Sequence, residues 1–212
     1  MKILFLTNNL NVVLPLLDWI KFTEGEDNIA LYSDKIVAKH FSVGEEFYDI
    51  DFIISYNYSH IIRQDVISLF PHKIINLHTS LLPWNKGASP NMWSFIEGTP
   101  SGVTIHEIDA GIDTGDILLQ REIVFDFTNE TLKSSYDRSH DVMRELFCSN
   151  WDKIKNGLIP PKPQSGTMHY VKDSSSFNDI ANYNDTINEF IHKYNEFSKN
   201  NPCDITNKKP LT

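Results

Sequence analysis

Three side chains in this sequence could together move an acyl group onto an amine. Asn76 and His78 stand two residues apart in Asn76-Leu77-His78-Thr79-Ser80-Leu81-Leu82-Pro83. Asp113 follows 37 positions after the asparagine, in Gly111-Ile112-Asp113-Thr114-Gly115-Asp116. Such a transfer must take a proton from the attacking amine, stabilise the carbonyl oxygen as it gains charge, and return a proton to the leaving nitrogen. An imidazole with an unperturbed pKa of ~6.5 can carry the proton both ways near neutrality. An asparagine amide can donate to the oxyanion, and a carboxylate can orient the imidazole, or a water between them, and favour its charged form. Each residue alone also has a plainer reading: a satisfied histidine or asparagine after a strand, and an aspartate in a glycine-flanked turn. Ser80 is a weak rival nucleophile, because no Gly-x-Ser-x-Gly elbow surrounds it.

The elements around these residues read as alternating strands and helices. Short apolar runs predict strands at 2–7, 28–32, 52–56 and 73–76, with helices at 12–22 and 64–70 between them. This alternation predicts an α/β fold, a Rossmann-like, mostly parallel sheet with helices on both faces. Asn76 and His78 then fall at the carboxyl end of the fourth strand, where such sheets bind ligands. Runs at 103–108 and 116–123 predict two further strands, joined by the turn that carries Asp113.

Thr128 is expected to cap a long helix from Asn129 to about Asn156, with Leu132, Tyr136, Val142, Leu146, Trp151 and Ile154 facing the core. Gly157 and Pro160-Pro161-Lys162-Pro163 end it. Residues 164–180 read as a polar loop, 185–199 as a short helix and 201–212 as a mobile tail. The expected division is a catalytic domain at 1–165 and a short helical extension at 166–212.

Composition narrows the class. A net charge of −9 over 212 residues argues against a nucleic-acid partner. No apolar run reaches the length of a membrane span and no leader pattern opens the chain, so a cytoplasmic location with no membrane partner is expected. Cys148 and Cys203 lack metal-ligand spacing, so no metal is expected, and Cys148 reads as a small buried apolar residue. The first strand ends in Asn8-Asn9-Leu10-Asn11 with no glycine, which speaks against a dinucleotide cofactor. Asn8 or Asn11 would cap the next helix, or touch a substrate phosphate.

At these motifs the chain resembles the folate-dependent formyltransferases. That family includes glycinamide ribonucleotide transformylase, methionyl-tRNA formyltransferase, formyltetrahydrofolate hydrolases and nucleotide-sugar N-formyltransferases. The resemblance runs over roughly residues 1–165 and is densest from Ile53 to Gln120. It rests on Asn76, His78, Ser80 to Pro83 and the Asp113 to Asp116 turn. It implies the formyltransferase fold, 10-formyltetrahydrofolate as cosubstrate, and Asn76, His78 and Asp113 as the catalytic residues. It also implies a folate slot between the stretch holding Tyr58, His60, Ile61 and Ile62 and the loop holding Asp109, Gly111 and Ile112. His106 falls where relatives have a supporting histidine.

The stretch Trp84-Asn85-Lys86-Gly87-Ala88-Ser89-Pro90-Asn91-Met92-Trp93 resembles that of the nucleotide-sugar enzymes, including short ones of pseudaminic acid biosynthesis. It implies Trp84, Asn85, Lys86, Asn91 and Trp93 as substrate-binding residues, with Trp93 either a sugar platform or core. The implied activity is formyl transfer to the amine of a nucleotide-linked amino sugar. The alternatives are a hydrolase releasing formate or transfer to another small amine. Only about 50 residues follow Pro163, which argues against the tRNA enzyme, normally extended by a second domain. A homodimer through the segment after Gly102 is a further expectation.

Overall fold

The computed structural model describes residues 1–174 and 177–201. In chain order the first half comprises β1 (Ile3–Leu6), α1 (Leu10–Glu24), β2 (Ile29–Tyr32), β3 (Phe52–Tyr56), α2 (Gln64–Ile67), β4 (Ile74–His78) and β5 (Lys86–Gly87). The second half comprises α3 (Pro90–Glu97), β6 (Gly102–Glu107), β7 (Ile117–Glu122), α4 (Leu132–Lys155), β8 (Met168–His169), α5 (Phe177–Ile180) and α6 (Ile187–Asn200). One six-stranded sheet runs in the order β2-β1-β3-β4-β6-β7. The first four strands are mutually parallel, and β6 pairs antiparallel with both β4 and β7.

Both faces of the sheet are buried, which is why its central strands are continuous apolar runs rather than alternating ones. Ile3 and Phe5 of β1, Ile54 of β3 and Leu77 of β4 pack under α1 and α4, against Val13, Leu16, Leu17, Leu146, Phe147 and Trp151. Their neighbours Leu4, Leu6, Ile53 and Ile74 point the other way, toward Ile36, Phe47, Val66 and Phe70. The period of two then carries Asn76 and His78 onto this second face. Register sets Asn76 beside Ser55 on one side and His106 on the other, and His78 beside Thr104.

Several local expectations are corrected. Thr128 does not cap α4. The Asp126 carboxylate accepts the Thr128 and Asn129 N–H groups in a separate turn, and the helix starts one turn later in a capping box between Thr131 and Ser134. Of the residues expected to face the core from α4, Val142 packs on it half-buried and Tyr136 is half-buried, while Met143 and Phe147, not among them, are fully enclosed. Neither Asn8 nor Asn11 caps α1, whose flanking residue Asn9 makes no side-chain cap bond. Asn8 instead ties three strand ends together: it donates to the Ser33 carbonyl and accepts from Ser59 N–H and Oγ. Cys148 is half-buried against the core, and burial pushes its thiol up to about 11.

The stretch 164–180 is not a plain loop. Met168 and His169 pair in parallel with Lys86 and Gly87, and α5 follows. A two-residue strand has no periodicity to reveal it. The pairing depends on Gly87, since a Cβ there would sit 2.1 Å from the His169 carbonyl oxygen. The Thr186–Glu189 capping box opens α6, which buries Ile187 and Phe190. Residues 202–212 of the expected tail, and Cys203 with them, lie outside the described residues. Among the described residues no helix is long and apolar enough to cross a membrane.

Candidate active site

The turn between β6 and β7 brings Asp113 back over the carboxyl end of β4. Asp109 closes the turn from within, its Oδ1 accepting Gly111 N–H at 3.0 Å and Thr114 Oγ1–H at 2.5 Å. Gly115 packs so close that a Cβ would meet the Glu107 carbonyl oxygen at 1.9 Å. Asp113 itself has φ of +51°, a left-handed conformation a non-glycine residue adopts only where its surroundings impose it. Its Oδ1 accepts from Asn76 Nδ2 at 3.1 Å and its Oδ2 from the Gly87 N–H at 2.9 Å. His78 Nδ1 lies 3.6 Å from Oδ2, and His106 Nε2 lies 3.5 Å from Oδ1. The structure therefore gathers Asn76, His78, His106 and Asp113 at one point.

The hydrogen bonds assign most of the donors. His78 Nε2 faces the Asn85 carbonyl at 3.3 Å and Nδ1 the Asp113 carboxylate at 3.6 Å; with the hydrogen on Nε2, Nδ1 is the nitrogen open to a further proton. His106 Nδ1 donates to the Glu107 carbonyl at 2.7 Å, leaving Nε2 to accept from Asn76 Nδ2 at 3.2 Å. Both hydrogens of the Asn76 amide are thus held by Asp113 and His106. Burial, the largest influence, lowers the His78 pKa; the Asp113 charge partly restores it and His106 lowers it further. Burial alone would raise the Asp113 carboxyl, but His78, His106 and the Gly87 N–H together hold it well below the usual carboxylate range. Burial thus favours the neutral form of His78, and the adjacent Asp113 carboxylate favours a proton on it.

A cleft of about 430 Å³ opens beside this cluster, within the size range of small-molecule sites. Tyr58, His60, Ile61 and Ile62 line it from the loop after β3, and Asp109, Gly111 and Ile112 from the turn. Asn76, His106 and Asp113 form part of its wall. Two lining residues, His169 and Tyr170, come from the stretch expected to be loop. Sequence reasoning missed them, and a His-Tyr pair inside a polar run was their one signal. It also missed the Gly87 amide, whose contact depends on backbone geometry and leaves no mark in residue type.

The structure does not bring Trp84, Asn85, Lys86, Asn91 and Trp93 to the cleft wall. Trp93 is 3% exposed, stacked on His169 at 4.1 Å and packed on Phe177. Trp93 thus packs as a core residue, against His169, Ser174, Phe177 and Tyr194 of α6. Asn85 is fully buried, its amide among Thr99, Ser94, Glu97 and His169. Lys86 is buried, its strand paired with β8; burial lowers its pKa and Asp109 and Asp113 oppose this. Trp84 and Asn91 are half-buried outside the cleft. Ser80 is 2% exposed and donates to the Trp84 carbonyl at 3.0 Å, so its hydroxyl is committed to the turn. Thr104 clamps that turn, donating to the Ser80 carbonyl and accepting from Leu82 N–H.

Comparison with known proteins places this site in a family. The formyl transferase family profile matches residues 31–150. The formyltransferase PseJ from Anoxybacillus kamchatkensis, solved in complex with UDP-4,6-dideoxy-4-formamido-L-AltNAc and tetrahydrofolate, superposes with a TM-score of 0.79. It shares 37% identity, over 91% of this chain and 99% of that one. A sugar N-formyltransferase-like protein of Mycobacterium tuberculosis, Rv3404c, gives 0.74 at 27% identity, over 91% and 85%. By sequence, the methionyl-tRNA formyltransferase of Thermodesulfovibrio yellowstonii is 34% identical over 67% of this chain and 46% of its own length. The chain spans less than half the length of the first such curated relatives. It belongs to the formyl transferase family.

Proposed function

We propose that this protein transfers a formyl group from 10-formyltetrahydrofolate to the amine of a nucleotide-linked amino sugar. The observation that carries this reading is the match to PseJ, which extends over 91% of this chain and 99% of that enzyme. The folate would enter the 430 Å³ cleft, its pterin read by main-chain groups between the loop after β3 and the Asp109–Ile112 turn. Ile61, Ile62, Ile108 and Ile112 give that slot apolar walls.

In this reading His78 Nδ1 takes the proton of the amine as it attacks the formyl carbon, and Asp113 Oδ2 supports the imidazolium that results. Asn76 meets the oxyanion by sharing the amide hydrogen now accepted by His106. The imidazolium then returns its proton to the folate nitrogen as the carbon–nitrogen bond breaks. Tetrahydrofolate and a formamide are the products. His106 and the Gly87 N–H hold Asn76 and Asp113 in place.

A second reading rests on the curated sequence relatives, methionyl-tRNA formyltransferases at 34–36% identity. The net charge of −9 weighs against a tRNA acceptor. The two are separated by offering the purified protein 10-formyltetrahydrofolate with UDP-, dTDP- and CMP-linked amino sugars in parallel with methionyl-tRNA. A formylated sugar by mass spectrometry is the expected product; formylmethionyl-tRNA in its place overturns the sugar reading.

A further inference from the structure

The stretch that follows α4 returns across the sheet to the catalytic turn, beyond the residues 31–150 that the family profile covers. Lys162 and Ile117 exchange backbone hydrogen bonds of 2.9 and 2.8 Å, anchoring the stretch at the start of β7. Two residues on, Gln164 Nε2 donates to the Asp113 carbonyl at 3.0 Å and to the Gly115 carbonyl at 2.7 Å. Further along, β8 pairs with β5, the strand whose Gly87 N–H reaches the Asp113 carboxylate. The strap therefore touches the Asp113 turn from two sides.

We propose that Gln164 is a positioning residue for Asp113, its amide fork fixing the two peptide planes that aim the carboxylate at Asn76, Gly87 and His78. Asp109 ties the turn through the Gly111 N–H and the Thr114 hydroxyl, but a carboxylate oxygen that only accepts cannot hold the turn's carbonyls. Asp113, the residue with positive φ, and Gly115 present the two carbonyls that Gln164 holds. A primary amide suits this task because one nitrogen supplies two hydrogens in a fixed plane. Among the described residues Gln164 Oε1 is buried without a hydrogen-bond partner, so the nitrogen's bonds set the orientation of the group. The residue touches the turn's backbone, and its effect on chemistry passes wholly through Asp113.

This inference rests on the proposed roles of His78 and Asp113, and its test separates the two. Gln164→Met keeps the length of the side chain and removes both donors. Displacement of a catalytic group by about 1 Å costs on the order of a hundredfold in rate, so kcat is expected to fall ten- to hundredfold with the KM for 10-formyltetrahydrofolate within threefold. A direct NMR titration of the His78 ring should move to lower pH in the variant, because the Asp113 charge that raises its pKa is less firmly placed. That readout needs no substrate, so it decides the point even if the wild-type protein forms no formamide. An unchanged kcat and an unmoved His78 midpoint, with only a lower melting temperature, would overturn the proposal. Should Gln164→Met not fold, Gln164→Leu removes the donors with a shorter side chain. An unmoved His78 midpoint and a plateau kcat for Gln164→Leu within threefold of wild type would equally overturn it, and a tenfold or greater fall at unchanged KM would support it.

Discussion

Replacing Asp113 by asparagine removes one charge from the centre of the site while keeping its shape. The carboxylate lies 3.6 Å from His78 Nδ1, with both side chains at least 85% buried. A unit ion pair at that separation is worth about 4–5 kcal/mol at an effective dielectric constant of about 20. If His78 is charged in the transition state and neutral before it, losing that support lowers kcat by about a thousandfold, at about 1.4 kcal/mol per tenfold. The amide must also turn its NH2 toward either Asn76 Nδ2 or the Gly87 N–H, both donors. One buried donor then stays unpaired, at a stability cost of about 1–3 kcal/mol. Turnover of 10-formyltetrahydrofolate, followed with saturating amine, measures the first effect; urea denaturation measures the second. The KM for folate should stay within about threefold, since uniform binding is untouched. A folded Asp113→Asn protein with kcat within tenfold of wild type would refute the assigned role.

Three other perturbations probe different parts of the account. Asn76→Ala should lower kcat by about a hundred- to a thousandfold through loss of an oxyanion donor, measured in the same assay; a loss confined to KM would remove Asn76 from the chemistry. Trp93→Ala should destabilise the protein by about 3–5 kcal/mol as a core cavity while a folded fraction keeps its KM for the sugar, read by denaturation and steady-state kinetics. A raised KM at full stability would restore the platform role. The third concerns His140, buried on α4 against Tyr56 and Tyr136; burial pushes its pKa down to about 4. The unfolded chain, with an ordinary value near 6.5, binds the proton first. Stability from this group is therefore complete above about pH 6.5 and falls by about 3 kcal/mol as pH drops to 4. The difference between urea midpoints of wild type and His140→Gln across that range isolates the effect; parallel profiles would contradict it.

The parallel half of the fold was legible because burial on both faces writes itself into composition. Ile3 to Leu6 and Phe52 to Tyr56 are unbroken apolar runs since alternate residues serve two cores. The placement of Asn76 and His78 followed from strand-end position and a period of two. The start of α4 was misread because Thr128 and Thr131 are both good caps, and only the Asp126 turn decides between them. The role of residues 162–170 was not legible at all. A two-residue strand and a glutamine side chain bonded to backbone carbonyls depend on contacts between stretches far apart in sequence, 82 residues for Lys86 to Met168 and 51 for Gln164 to Asp113. The substrate residues carried over by resemblance fared differently from those of the slot. The slot residues lie on loops beyond strand ends and face the cleft, whereas Trp93 and Asn85 lie beneath α6 and β8, which no local pattern linked to them.

The central claim is that this site moves a formyl group onto an amine, and the coupling of the two half-events tests it most directly. Purified protein is given 10-formyltetrahydrofolate with and without a nucleotide-linked amino sugar, and tetrahydrofolate, formylated sugar and formate are quantified together. One formylated sugar per tetrahydrofolate, no turnover without the amine, and loss of both products in His78→Ala are expected. Tetrahydrofolate and formate appearing at the same rate whether or not an amine is present would make water the acceptor and contradict it.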